Sequence, residues 1–346
     1  MGVWYATREQ LKSALDFKET ARNNGQMDRA LESSSRSVEK EFHRPNFYPL
    51  SATRTFDWPR QYARPWRLWL NQHELISATT VTAGGVTISS ADYLLRPDDG
   101  PPFTHVELDL SSSATFSGGS THQRAISIVG VFGYANDETP AGALAEGLDA
   151  SETGVDGTNA AAIGVGDLIR CESERMIVTG RQSLDTGQNI GANLAALNTA
   201  TSVTVSDGTG YTVGEVILVD SEKMLVVDIA SNTLIVRRAW DGTVLAAHTT
   251  GADVFADRTL TVTRGAAGTT AATHDTATAL TRYVPPGPVT QYTLALAINQ
   301  ILQESAGYAR TIGSAENERE AAGRGLRSAR AEAWIGYGRK SRIRGV

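Results

Sequence analysis

The chain has 346 residues, 41% of them hydrophobic, and a formal net charge of −6. That length allows a sizeable core and more than one domain, and the ordinary apolar content excludes a wholly disordered polymer. The single cysteine, Cys171, excludes a disulfide framework and a multi-cysteine metal site.

No charged-then-apolar leader opens the chain, and no apolar run nears the ~20 residues that span a bilayer. The sequence therefore reads as a soluble protein made in a reducing cytoplasm, with no membrane partner. The net charge hides an asymmetry. From Ala321 to Val346 the cations Arg324, Arg327, Arg330, Arg339, Lys340, Arg342 and Arg344 face Glu332 alone, which leaves −12 on the remainder. A basic tail on an acidic body points to contact with nucleic acid or an acidic protein surface.

The first predicted element is a helix opened by Thr7-Arg-Glu-Gln10, a capping box. Leu11 and Leu15 share its face, and Asn23-Asn24-Gly25 is expected to end it, with Gly25 as the left-handed terminal residue. Met27, Leu31, Val38 and Phe42 then mark one face of a second helix that stops before Pro45. Together the two make an αα-hairpin. Phe47 to Leu70 follows, rich in aromatic and arginine residues. Such interleaving can stack single-stranded nucleic acid, but core packing with arginines laid on rings is the stronger reading.

From Leu75 the periodicity switches to two. Ile76–Val81, a Gly84-Gly85 turn, Val86 and Ile88 predict a hairpin. Asp92–Pro97, Thr104–Leu110 and Ala125–Tyr134 predict further strands.

Between Ala141 and Pro285 two motifs are each written twice. Val165-Gly-Asp-Leu-Ile-Arg-Cys-Glu-Ser-Glu-Arg-Met-Ile-Val178 matches Val213-Gly-Glu-Val-Ile-Leu-Val-Asp-Ser-Glu-Lys-Met-Leu-Val226. Leu234-x-Val236-x-Arg238, Gly242-Thr243, His248 matches Leu260-x-Val262-x-Arg264, Gly268-Thr269, His274. The order front, front, back, back predicts one β-unit nested within another, with Val165–Val178 paired to Leu260–Arg264. Nesting sets Glu174 by Arg264 and Glu222 by Arg238. A tandem arrangement is the alternative. Past Pro285-Pro-Gly-Pro288 a helix carries Tyr292, Leu296, Ile298, Leu302 and Tyr308, and a glycine-punctuated basic end holds Trp334, Ile335 and Tyr337.

Chemistry is sparse. A Glu and a His per unit supply two cation ligands where three are wanted. Each Glu is therefore read as a hydrogen-bond acceptor for Arg and turn N–H groups, with the His filling a turn. No G-x-S-x-G elbow and no phosphate-binding G-x-x-x-x-G-K-[ST] loop occurs, and Cys171 sits in an apolar strand pattern that predicts an inert thiol. No catalytic, metal or cofactor site is expected.

The helix pair, the Trp/Arg segment, the run GGVTISSADYLLRPDDGPPFTHVELDL and the strand ISIVGVFGY resemble head–tail connector proteins, the adaptor or head-completion family of long-tailed bacteriophages. The resemblance covers Met1 to Pro140 and Pro288 to Val346, and the β stretch between departs from the family pattern. It implies an α+β fold: a helical adaptor body, a β-hairpin and sheet region, and an inserted all-β domain of two nested units. The expected segments are 1–140, 141–284 with an inner unit at about 200–256, and 285–346.

The resemblance also implies a structural virion protein of the neck, assembled in the host cytoplasm. It would form a ring, commonly of twelve copies, beneath the portal protein and around the passing double-stranded DNA. Its lower face would receive a stopper, neck or tail-terminator protein. The insertion is expected at the ring periphery, against capsid or a decoration protein. The basic end is expected to order on binding, docking the portal through Trp334, Ile335, Tyr337, Arg339, Lys340, Arg342 and Arg344. The alternative is a β-rich tail or baseplate component that binds host-surface carbohydrate through Trp240, Tyr211 and Phe255. A DNA grip through the Arg/aromatic stretch and the tail is a third reading.

Overall fold

A computed structural model describes residues 2–15, 24–59, 64–117, 119–159, 161–305, 311–312, 319–320 and 324–339. In chain order the elements begin with α1 (Arg8–Leu15) and α2 (Asn24–Glu41). Strands β1 (Leu50–Phe56), β2 (Arg67–Trp69), β3 (Leu75–Ala83), β4 (Val86–Ile88), β5 (Tyr93–Arg96), β6 (His105–Leu108) and β7 (Ile126–Phe132) follow.

The next strands are β8 (Glu138–Ala143), β9 (Gly154–Asp156), β10 (Leu168–Cys171), β11 (Glu174–Asn189), β12 (Ser202–Thr204) and β13 (Val216–Val219). Then come β14 (Glu222–Ala230), β15 (Thr233–Trp240), β16 (Asp253–Thr263) and β17 (Ala279–Tyr283). The last elements are α3 (Gly287–Ser305), a pair of two-residue strands, β18 (Thr311–Ile312) and β19 (Arg319–Glu320), and α4 (Arg324–Tyr337). The fold is a mixed α+β architecture with antiparallel sheets.

The chain packs as two compact units. The first takes Met1–Arg36, Glu138–Ala266 and Thr270–Glu332, and the second takes Ser37–Asp137, Ala267–Thr269 and Ala333–Val346. The segments 1–140 and 285–346 each contribute to both.

In the first unit α1 opens with the capping box: the Gln10 N–H donates to Thr7 Oγ1 (3.1 Å) and the Thr7 N–H to Gln10 Oε1 (2.9 Å). Gly25 does not terminate α1. It lies in the first turn of α2, where Asn24 already starts the helix. Leu11, Met27, Leu31, Ala297 and Ile301 share a buried core with Trp4 and Val165. Tyr308 lies outside the described residues.

The second unit contains a sheet ordered β1-β7-β3-β4 and a sheet ordered β2-β6-β5. Phe56, Leu68, Val81, Val106, Ile128 and Phe132 join one core. The β3–β4 turn uses Gly84 and Gly85 at φ 57° and 86°, the twist that a two-residue hairpin requires. Strands β1 and β2 arise inside the Trp/Arg stretch, for which the sequence reading expects packing and no strand.

The ten-stranded sheet of the first unit carries the nesting. Ile177 pairs with Thr263, Val178 with Val262 and Arg181 with Leu260, across the whole inner unit. The outer unit runs β9-β16-β11-β10-β17-β8, and the inner runs β12-β15-β14-β13-β16-β11. The two circuits have the same topology. Strand β11 supplies the fourth strand of the outer unit and then the first of the inner. Strand β16 supplies the last strand of the inner and then the fifth of the outer. The inner unit is thus inserted into the tip of the outer unit's central hairpin.

Candidate functional site

The doubled motifs build two matching carboxylate hubs. Glu222 Oε1 accepts from Arg238 Nε (2.8 Å) and the Ala239 N–H (2.8 Å). Its Oε2 accepts from Arg238 Nη2 (2.7 Å) and the Ala246 N–H (3.0 Å), and lies 3.0 Å from His248 Nε2. Glu174 repeats the pattern with Arg264 Nε (2.7 Å) and Nη2 (2.8 Å), the Gly265 and Ala272 N–H groups (2.9 and 3.0 Å) and His274 Nε2 (2.9 Å).

Each arginine also donates through Nη1 to two carbonyls of an earlier loop, Ala195 and Ala200 for Arg238, Asp149 and Glu152 for Arg264. The histidines do more than fill turns. Their Nδ1 atoms meet Asp220 Oδ2 (2.6 Å) and Glu172 Oε2 (2.9 Å), tying each hub to its hairpin tip. The two glutamates fall at the first position of β14 and β11, immediately after two-residue turns whose leading residues, Asp220 and Glu172, sit at φ 51°.

Two guanidinium N–H groups and two backbone N–H groups already match the about four lone pairs of each carboxylate, so neither keeps capacity to act as a base or to hold an ion. Among the described residues no group of three or more His, Cys, Asp or Glu side chains is arranged to hold a metal ion. Burial works to raise both glutamates, but the arginine, the histidine and the two backbone N–H groups outweigh it and hold each carboxyl at about 2.

The pH consequence follows from that depression. The stabilisation is complete above the ordinary value of 4.5 and is lost as pH falls from there towards about 2. The unfolding midpoint is expected to fall over that window. An unfolding midpoint that stays level over that window would remove the hubs as a source of acid sensitivity. Burial, aided by Glu172 and Glu174, pushes the Cys171 thiol up to about 11, which leaves it protonated and unreactive at neutral pH.

The turns that precede the two hubs also match, but their surroundings differ. Asp167 and Glu215 each accept from the N–H three residues back, Gly164 (2.8 Å) and Thr212 (2.9 Å). The outer turn receives the N-terminal segment: Trp4 N–H donates to Gly166 O (3.0 Å), Arg8 N–H to Val165 O (3.2 Å), and Val165 N–H to Glu9 Oε2 (2.8 Å). The inner turn leaves Val213 50% exposed.

Gly166 and Gly214 both adopt positive φ, 103° and 94°, but a Cβ on Gly166 would sit 2.2 Å from the Trp4 ring, whereas one on Gly214 meets nothing nearer than Ala161 at 3.7 Å. G214A should therefore cost about 1 kcal/mol of backbone strain. G166A should cost about 2–4 kcal/mol, because the ring must also move. Equal losses by denaturant titration would contradict the steric difference.

The residues expected to meet a partner lie in α4 and just beyond it. Trp334, Ile335 and Tyr337 belong to a helix and not to an irregular glycine-punctuated end. In the second unit Trp334 packs edge-on against Phe42 at 5.6 Å, and Tyr337 against Tyr134 at 5.4 Å. Arg44, laid over the Tyr134 ring at 4.7 Å, donates through Nε to Tyr337 O (2.8 Å), a cation at a helix C-terminus. The Arg339 N–H donates to Phe42 O (3.2 Å), and its guanidinium stands 4.0 Å from Glu74. Ile335 remains 79% exposed. Lys340, Arg342 and Arg344 lie outside the described residues.

The Trp/Arg stretch forms rungs of cation–π contacts: Arg67 lies over Trp66 (4.9 Å) and Trp69 (5.7 Å), and Arg54 over Phe132 (5.2 Å). Arg60 and Tyr62 lie outside the described residues. Of the aromatics considered for carbohydrate, Tyr211 is buried with its hydroxyl 3.1 Å from Thr186 Oγ1, and Trp240 is covered by Arg237 at 5.3 Å. Tyr211 thus offers no exposed ring, and Trp240 is half-buried with one face under Arg237.

The comparisons with known proteins are negative. No family model, no curated protein and no solved structure matches this chain.

Proposed function

We propose that the chain is a structural virion protein, a head-to-tail adaptor. In this reading it forms a ring beneath the portal, around the channel for double-stranded DNA, and links the capsid vertex to the neck and tail. The observation that supports this most is α4. It carries the most exposed large aliphatic side chain of its segment, Ile335, beside the edge of Trp334, directly before a cationic terminus. An exposed apolar anchor flanked by arginine is the composition of a protein interface core and rim.

The two hubs fit the same reading as locks that keep a β-rich virion domain folded without performing chemistry. The test is a binding assay between the full chain and portal rings from the same virion, with and without Gly336–Val346. Loss of binding on deletion is the expected result, and undiminished binding overturns the role of that end. Electron micrographs of the chain alone and with portal should show rings in the mixture.

A further inference from the structure

The two β-units share one topology, so positions of one have counterparts in the other. Their outward faces differ. In the inner unit the outward face of β13, β14 and β15 carries Val216, Leu218, Leu225, Val227 and Ile235, while the alternate residues Ile217, Val219, Met224, Val226, Leu234 and Val236 join the core. The register makes one patch of the outward side chains. Val216 pairs with Leu225 and Leu225 with Arg237, and one row along Ile235 pairs with Asp228. A bulge between Val226 and Asp228 turns both Val227 and Asp228 outward. Val227 is 46% exposed, and the other four aliphatic side chains are half-buried.

The outer unit treats the same face in two ways. Leu168 and Ile177, the counterparts of Val216 and Leu225, are buried. Polar residues take the other three positions: Arg170 for Leu218, Thr179 for Val227 and Thr261 for Ile235. Arg170 pairs with Glu138, and Thr179 Oγ1 donates to Thr261 O (3.1 Å). The outer unit thus buries its aliphatic residues or replaces them, whereas the inner unit keeps them at the surface. Aliphatic side chains in adjoining rows on an open sheet face mark a surface that a partner covers.

We propose that this face is a contact between two copies of the chain, packed about a two-fold axis. Charge selects the occupant. Arg237 and Asp228 lie diagonally across the patch, and Leu225 and Ile235 lie on the other diagonal. A two-fold axis in the plane of the face, running close to the Leu225–Ile235 diagonal, sets Arg237 of each copy opposite Asp228 of the other. Leu225 and Ile235 then meet their own counterparts at the centre. A patch with both charges so placed is complementary to itself. An open groove lined by Asn198, Thr201, Val227, Ile235 and Arg237 lies beside it and receives the second copy's β14 bulge. The contact belongs to the inner unit alone, so it stands whether or not the chain binds a portal.

The test is sedimentation of the full chain across a concentration series, with folding of each variant checked by circular dichroism. A monomer–dimer equilibrium is the expected result. V227T/I235T gives the inner unit the residues that the outer unit carries in the same topology, and should weaken the dimer by about tenfold or more. R237D and D228R each set like charges against one another twice and should dimerise weakly alone. Mixed in equal amounts they should recover the dimer, because the heterodimer restores both opposite-charge pairs. Monomer at every concentration, or an assembly of any size that V227T/I235T leaves unchanged, overturns the face. Folded charge variants that recover nothing on mixing overturn the two-fold arrangement, and where either fails to fold V227T/I235T decides alone.

Discussion

E222Q will unfold the inner β-unit and loosen the outer one with it, whereas E174Q will leave the inner unit standing. Each substitution removes the charge that balances a buried arginine, Arg238 or Arg264. Breaking such a pair from one side costs about 3–5 kcal/mol, a large part of the 5–15 kcal/mol that holds a typical domain. The asymmetry comes from the nesting. When the inner unit melts, the chain between Asn189 and Asp253 becomes a flexible loop that the outer β11–β16 pairing must close. A loop of roughly 60 residues costs on the order of 4 kcal/mol. When the outer unit melts, Asn189 and Asp253 are still paired at the base of the inner unit, and no loop inside it lengthens. Amide hydrogen exchange read on β13–β15 and on β10 and β17 will separate the cases. Fast exchange of β13–β15 in E174Q, or protection of β10 and β17 in E222Q equal to the parent's, would contradict the nested coupling.

The pairing of the two motif halves was readable because each repeat holds its glycine, hub and core positions at one offset. The glutamate–arginine pairs follow from that alone. The histidines were also within reach: His248 and His274 each fall ten residues after the hub arginine, an equality that turn-filling does not explain. Other features left a weaker local trace. Strand β1, Leu-Ser-Ala-Thr-Arg-Thr-Phe, does alternate, Leu50, Ala52 and Phe56 against Ser51, Thr53 and Thr55, but Arg54 interrupts the apolar face and the small Ala52 weakens it. The docking of Trp4 and α1 on the outer turn was signalled by one substitution within a conserved spacing, Gly164 where the inner copy has Thr212. Only the glycine lets Thr7 and Glu9 approach, since a Cβ there would lie 2.5 Å from each. The helical placement of Trp334–Tyr337 was missed because α4 is held by contacts from residues far away in sequence, Phe42, Arg44 and Tyr134. Its own composition of arginine, alanine and glycine gives a weak apolar stripe.

Those distant contacts make the portal-docking proposal separable into anchoring and presentation. I335E should reduce binding to portal rings about thirtyfold or more, as truncating a central apolar anchor costs about 2 kcal/mol or more and a buried charge adds to it. The fold should not change, because Ile335 is exposed in the isolated chain. R44A should reduce binding by another route. Arg44 touches Glu74, caps α4 at Tyr337 O and supports the Tyr134 ring. Its loss leaves Glu74 buried with Arg339 at 4.0 Å as its remaining near cation among the described contacts. The cost to the second unit is about 3–5 kcal/mol, and the last turn of α4 should lose amide protection. A portal affinity that falls in I335E with full α4 protection, and falls in R44A in step with lost protection, supports a helix that is prepared by the fold and buried by the partner. Unchanged affinity in I335E would remove α4 from the interface, and the basic residues beyond Arg339 would then have to carry any binding that deletion of Gly336–Val346 abolishes.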